Sequence, residues 1–201
     1  MENLAQNFPN LMDMLVNLAS RAALPALGAG RYFCLMAGIW FVFMGLMHVY
    51  GASDPEPSRF MGGRTQSSYS LAFGYVLAET LLTCMYRLDV VGVLQGTLIN
   101  GDAAVPINSA QLQYGGGGAL QERIRVATFA LMALMQFIGF VAIARGIMMI
   151  KDVAAGHQNA SIGGIFIFLV AGTMLWHFEY FANAINGTLG YDFIGLFSPY
   201  R

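Results

Sequence analysis

An acid or base standing alone in an apolar stretch either does chemistry or holds helices together, and this chain has three. Glu79 is the only charged residue between Tyr69 and Tyr86, Arg145 the only one between Val126 and Ile150, and Glu179 the only one between Ile162 and Ile185. If those stretches lie in hydrocarbon, each charge costs at least ~2.5 kcal/mol, so each needs a reason to be there. Glu79 sits near the middle of its stretch and needs a proton, a partner or a watery lumen. An inter-helix or inter-subunit polar contact is the expected role, with a proton site as the sharper alternative. Arg145 lies close enough to the end of its stretch for the guanidinium to reach an interface along its own stem, where it would anchor the helix. Contact with a lumen or a lipid phosphate is the alternative there. Glu179, two residues after His177 and next to Tyr180, falls at a boundary where polar and aromatic residues are ordinary. Arg145 and Glu179 are about twelve residues apart in depth if their helices form a hairpin, or about 18 Å, too far to pair.

The remaining candidates exclude more than they propose. His48, His157 and His177 are scattered, with no cysteine or carboxylate at ligand spacing, so no metal site is expected. No nucleophile elbow or ordered Ser, Asp and His set is visible, and Gly115–Gly118 lacks the Lys-Ser/Thr of a phosphate loop. The expectation is no enzyme and no cofactor. A net charge of −1 offers no basic field and hence no direct nucleic-acid readout.

The elements that must position these residues follow from composition. The chain of 201 residues is 57% hydrophobic and 10% charged, against about a quarter charged in soluble domains. Tyr32–Tyr50 has no charge at all, and with the three stretches above it makes four candidate spans of the length that hydrocarbon requires. Cys34 and Cys84 would come to similar depth in a hairpin of the first two spans; buried free thiols are expected, with a disulfide the alternative. The N-terminus is acidic before it is apolar, unlike a secretory signal. Leu4, Phe8, Leu11, Met12, Leu15 and Leu18 recur at helical spacing, which predicts an amphipathic helix. Pro25 and Gly28-Ala29-Gly30 predict a turn after it. The expected organisation is an N-terminal helix and turn over 1–30, a first transmembrane hairpin over 31–101, a Gly-rich connecting loop over 102–122, and a second hairpin and tail over 123–201.

The two hairpins read as copies. Gly38 and Gly45 recur 101 positions later as Gly139 and Gly146, and Gly62-Gly63 as Gly163-Gly164; Gly96-Thr97-Leu98 recurs 91 positions later as Gly187-Thr188-Leu189. The first half thus carries about ten extra residues after its Gly-Gly. A duplicated two-span unit returns the chain to its starting side, so the copies are parallel, and inverted-repeat transporters are disfavoured. Residues seven apart differ by about 20° around a helix. Gly139, Ala142 and Gly146, and likewise Gly38 and Gly45, therefore form small-residue stripes suited to close helix contact and oligomer assembly. Ile147 is expected to face elsewhere. Arg59, Arg64, Arg145 and Lys151 flank the hairpin tips, and Arg31, Arg87, Arg123 and Arg125 flank the other ends. Charge density in the short tips favours tips in the cytoplasm.

The segment from Met135 to Asp192 resembles the C-terminal part of the IcmC/DotE and TraQ-like inner-membrane proteins of type IVB secretion and conjugation systems. The resemblance rests on Gly139-Phe140 before Arg145-Gly146, a short polar glycine-containing loop, a Gly-rich second span and the closing Asn-Gly-Thr-Leu-Gly. It covers about a third of the chain, and reaches the first half only through the repeat. It implies an all-α, four-span inner-membrane subunit of a bacterial conjugation or secretion apparatus, structural or channel-forming, without catalytic residues. Its partners would be the bilayer, bound phospholipid, further copies and other subunits. The hairpins also resemble conjugative pilins, which makes a filament subunit with a duplicated hairpin one alternative. A small ion or proton channel or transporter centred on Glu79 is another.

Overall fold

The computed structural model describes residues 13–53, 69–87, 120–157, 160–178, 180, 181 and 188, with side chains of the third helix from Val126 onward. Every regular element among them is helical: α1 (Asp13–Ser53), α2 (Tyr69–Arg87), α3 (Leu120–Ala154) and α4 (Ile162–Trp176). The chain is thus all-α over the described residues. Two helical stretches, Asp13–Ser53 and Val126–Ala154, are long and apolar enough to cross a membrane. α4 is apolar but has 15 residues, about 22 Å. α2 has 19, but Glu79, two threonines and three tyrosines dilute its apolar content. The Gly-Gly of the first hairpin tip, the segment 88–119, Gly187, Leu189 and Glu179 lie outside the described residues.

The turn expected at Pro25 and Gly28-Ala29-Gly30 is absent: one helix runs through them. Proline removes one N–H and presses its ring on the carbonyl four residues back. Just ahead of it, Ala19–Ala23 forms a π turn, in which the N–H of Leu24 bonds the carbonyl oxygen of Ala19, five residues earlier. Such a bulge widens the helix where the ladder must change register. Gly28 and Gly30 keep ordinary helical angles; among the described residues only Gly156 has positive φ. That residue ends α3, at φ 72°, with its N–H on the carbonyl of Val153. Ser161 then caps α4, its hydroxyl accepting from the N–H of Gly164 at 3.0 Å. α3 begins at Leu120, inside the segment read as connecting loop, because Leu120, Gln121 and Glu122 are good helix formers.

The chain divides into two compact units. In the first (1–29, 104–140 and 172–201), Ala19, Ala130 and Ala133 make a small-residue core, with Leu15, Val16, Leu24, Phe129 and Met132 packed around it. Of the apolar stripe expected to lie on a membrane or a partner, Leu4, Phe8, Leu11 and Met12 fall outside the described residues and Leu18 is exposed, while Ala19 is buried. In the second unit (30–103 and 141–171), α1 buries Cys34, Gly38, Phe41, Gly45 and His48, alternately four and three residues apart. Such spacing is that of a straight packing seam. α2 meets the seam antiparallel: Gly45 faces Ala72, Tyr75 and Val76, and Gly38 faces Glu79 and Thr83.

Candidate functional site

The seam glycines define how close the helices come. A Cβ on Gly38 would lie 2.9 Å from the Thr83 hydroxyl oxygen, and one on Gly45 would lie 3.3 Å from Val76 Cγ2. α3 meets α4 in the same manner. Within the first unit, a Cβ on Gly139 would lie 2.6 Å from the carbonyl oxygen of Gly172 and 2.8 Å from the Trp176 nitrogen. Within the second, one on Gly146 would lie 3.1 Å from Phe168 Cβ, beside Ile165 and Leu169. The facing residues repeat at a fixed interval: Ile165, Phe168 and Leu169 stand 93 positions after Ala72, Tyr75 and Val76, and Gly172 and Trp176 after Glu79 and Thr83. The interval in the second helix is therefore 93, against the 91 of the Gly-Thr-Leu match. Ala142, the third member of its stripe, is half-buried. Ile147 does not face away; it is fully buried, because α3 is covered on more than its glycine side.

Glu79 belongs to this seam. It is half-buried, with Thr83 Oγ1 3.5 Å from Oε1 and Thr80 Oγ1 3.4 Å from Oε2. Thr80 also lies 2.9 Å from the carbonyl oxygen of Val76, the shorter of its two contacts. A hydroxyl has one hydrogen to give. With that hydrogen on Val76, any hydrogen between Thr80 Oγ1 and Glu79 Oε2 has to come from the carboxyl group. Among the described residues no cation pairs with Glu79, and its neighbour across the seam is Gly38.

A second polar group lies toward the C-terminal ends of α1 and α3. His48, 2% exposed, stacks on Tyr75 with ring centres 5.2 Å apart, and its Nδ1 has no hydrogen-bond partner among the described residues. Tyr75 meets Phe41 edge-on at 5.4 Å, and the Lys151 ammonium lies 5.9 Å from the Phe41 ring while paired with Asp152. Tyr75 was not singled out by sequence, and Lys151 only as a cation flanking a hairpin tip. Tyr75 is one helical turn from Glu79 on the same face, and that spacing is the signal that could have found it.

Arg145 is exposed, its guanidinium 5.6 Å from the centre of the Phe168 ring, with no acidic partner among the described residues. Its arrangement is a cation over an aromatic face. His177 is buried in the first unit, its Nε2 without a partner there. Cys34 and Cys84 are free thiols. Gly74 on α2 was also missed: a Cβ there would run into that of Ala154 and lie 3.6 Å from the carbonyl oxygen of Ile150. No group of three metal-ligating side chains occurs among the described residues.

Compared with models of protein families, with curated proteins and with solved structures, the chain matches none of them.

Proposed function

We propose that the chain is a four-span structural or channel-forming subunit of a type IVB-like conjugation or secretion apparatus in a bacterial inner membrane. It would be built as two parallel copies of one helical hairpin after an N-terminal helix. The observation that carries the reading is the shared seam. Two glycines seven apart on the first helix of each pair meet residues of the second helix at the same relative positions. Close backbone approach through small residues is a main source of helix association in lipid. The Gly139-Phe140 and Arg145-Gly146 steps that carry the family resemblance lie along that seam. The exposure of Arg145 beside Phe168, with no acidic partner among the described residues, supports contact with a phospholipid headgroup.

The test is to delete the chain from its own cell and extract the tagged protein in mild detergent. Loss of DNA or protein transfer, with the tagged chain migrating in a large assembly with other envelope subunits, is the expected result. A homopolymeric filament would favour the pilin-like reading. Normal transfer with a small stable oligomer overturns the apparatus reading. A channel or transporter is kept as the second reading because Glu79 is held by hydroxyls inside the α1–α2 seam; Glu79-dependent ion or proton flux in vesicles would favour it.

A further inference from the structure

The buried seam of α1 leaves an opposite face that stays mostly exposed, with Tyr32 at its end touching Tyr86 of α2. Tyr32, Met36, Ile39, Phe43, Leu46 and Tyr50 run along it, each more than half exposed, with Trp40 beside them at 60%. Their spacing of four, three, four, three, four keeps them on one side of the helix. A face this apolar and this long is not one that water covers in a stable monomer. It differs from the seam in residue size. The small residues that permit helix-to-helix approach are on the buried side, while the outward side carries the bulkiest ones, which hold another backbone away.

We infer that this face of α1 is the surface in contact with lipid chains, with the hydrocarbon ending at Tyr32 and at Tyr50. The inference rests on the membrane reading of the proposed function and on no part of its assignment to an apparatus. Tyr32 and Tyr50 are 18 residues apart, about 27 Å at 1.5 Å per residue. The hydrocarbon of a bilayer is about 30 Å thick, and tyrosine favours its two borders. α2 gives the same limits independently. Tyr86 touches Tyr32, with ring centres 5.6 Å apart. The antiparallel register that sets Gly45 against Ala72–Val76 brings Tyr69 level with Tyr50. The nearest cation agrees: Arg31 is one residue beyond Tyr32, its Nε–H donating to the carbonyl oxygen of Tyr86 at 2.8 Å and its guanidinium over the Tyr86 ring. Between the two borders the face carries no charge. Trp40 then lies close to the bilayer midplane, and Glu79, across the seam at Gly38, shares its depth.

The two tryptophans make the test direct, since Trp176 is 3% exposed and Trp40 is outward. The full chain is reconstituted into phosphatidylcholine vesicles whose acyl chains carry bromine either near the glycerol or near the chain end, and tryptophan emission is read. The Trp40 share is the difference between the wild type and Trp40→Phe, an exposed and conservative change. Trp176→Phe, which leaves Trp40 alone, is read in parallel. The expected result is loss of most Trp40 emission with chain-end bromine and a smaller loss with bromine near the glycerol. Protein that floats with the vesicles but is indifferent to bromine overturns the inference, because another polypeptide then covers the face. Stronger quenching near the glycerol overturns the assigned borders. Protein that does not float overturns the inference together with the membrane reading, whereas a chain that floats and is quenched as expected yet has no part in transfer overturns only the apparatus assignment.

Discussion

At the scale of single residues, the four seam glycines are not equivalent. The Cβ that alanine adds at Gly139 meets backbone atoms of α4 at 2.6 and 2.8 Å, which cannot turn aside, whereas at Gly45 its nearest neighbour is a Val76 methyl at 3.3 Å, which need give by only a few tenths of an ångström. Overpacking costs typically about 1–3 kcal/mol. Gly139→Ala should therefore lower the melting temperature in detergent most, Gly146→Ala less, and Gly45→Ala least. Equal effects at all three positions would mean that the helices are further apart. Glu79 gives the second prediction. Glutamine carries hydrogens on one atom and an acceptor on the other, so it can donate to Thr80 and accept from Thr83. Glu79→Gln should leave stability and assembly close to wild type. Glu79→Leu removes the acceptor beside the part-buried Thr83 hydroxyl, a loss of about 1–3 kcal/mol where nothing replaces it, while Thr80 keeps its bond to Val76. Wild-type stability of the leucine variant would show that the Thr83 hydroxyl has another partner. Transfer abolished in the glutamine variant, with assembly intact, would instead assign Glu79 a proton.

At the scale of the helix, the exposure of α3 side chains decides what truncation does. Ile147→Ala empties a fully buried site and should cost about 2–5 kcal/mol. Val141→Ala, on an outward position, should cost well under that; thermal unfolding of both in one detergent checks the order. Sequence alone put Ile147 outside the contact because it considered one face of α3, and burial on a second face depends on a neighbour that no local pattern names. The same limit appears at Pro25. Apolar runs without charge made the helices legible, since their length and composition are set by the residues themselves. The π turn that lets α1 continue past the proline is a matter of register and left no mark in composition. Gly38, Gly45, Gly139 and Gly146 were legible as contacts because small residues at a seven-residue spacing have few other uses in an apolar helix. The partners of Glu79 were not, because Thr80 and Thr83 look like any other threonines until Gly38 is seen against Thr83.

At the scale of the whole molecule, the proposed duplication of a two-span unit predicts that both hairpin tips lie on one side of the membrane. With Cys34 and Cys84 replaced by alanine, single cysteines at Ser58 and at His157 should react alike with a membrane-impermeant maleimide. The distribution of arginine and lysine predicts reaction only after the cytoplasm is opened. Labelling of one tip from outside and the other from inside would rule out parallel copies. The copies also differ in one place that matters. Gly74 lets α2 accept the end of α3 against its back, and the residue 93 positions on is Ile167, branched and 65% exposed. A third hairpin could not dock behind α4 as α3 docks behind α2. In any assembly of such chains, a helix could not seat against α4 at Ile167 as closely as α3 seats against α2 at Gly74, so the joint inside one chain is not one that the next chain could repeat.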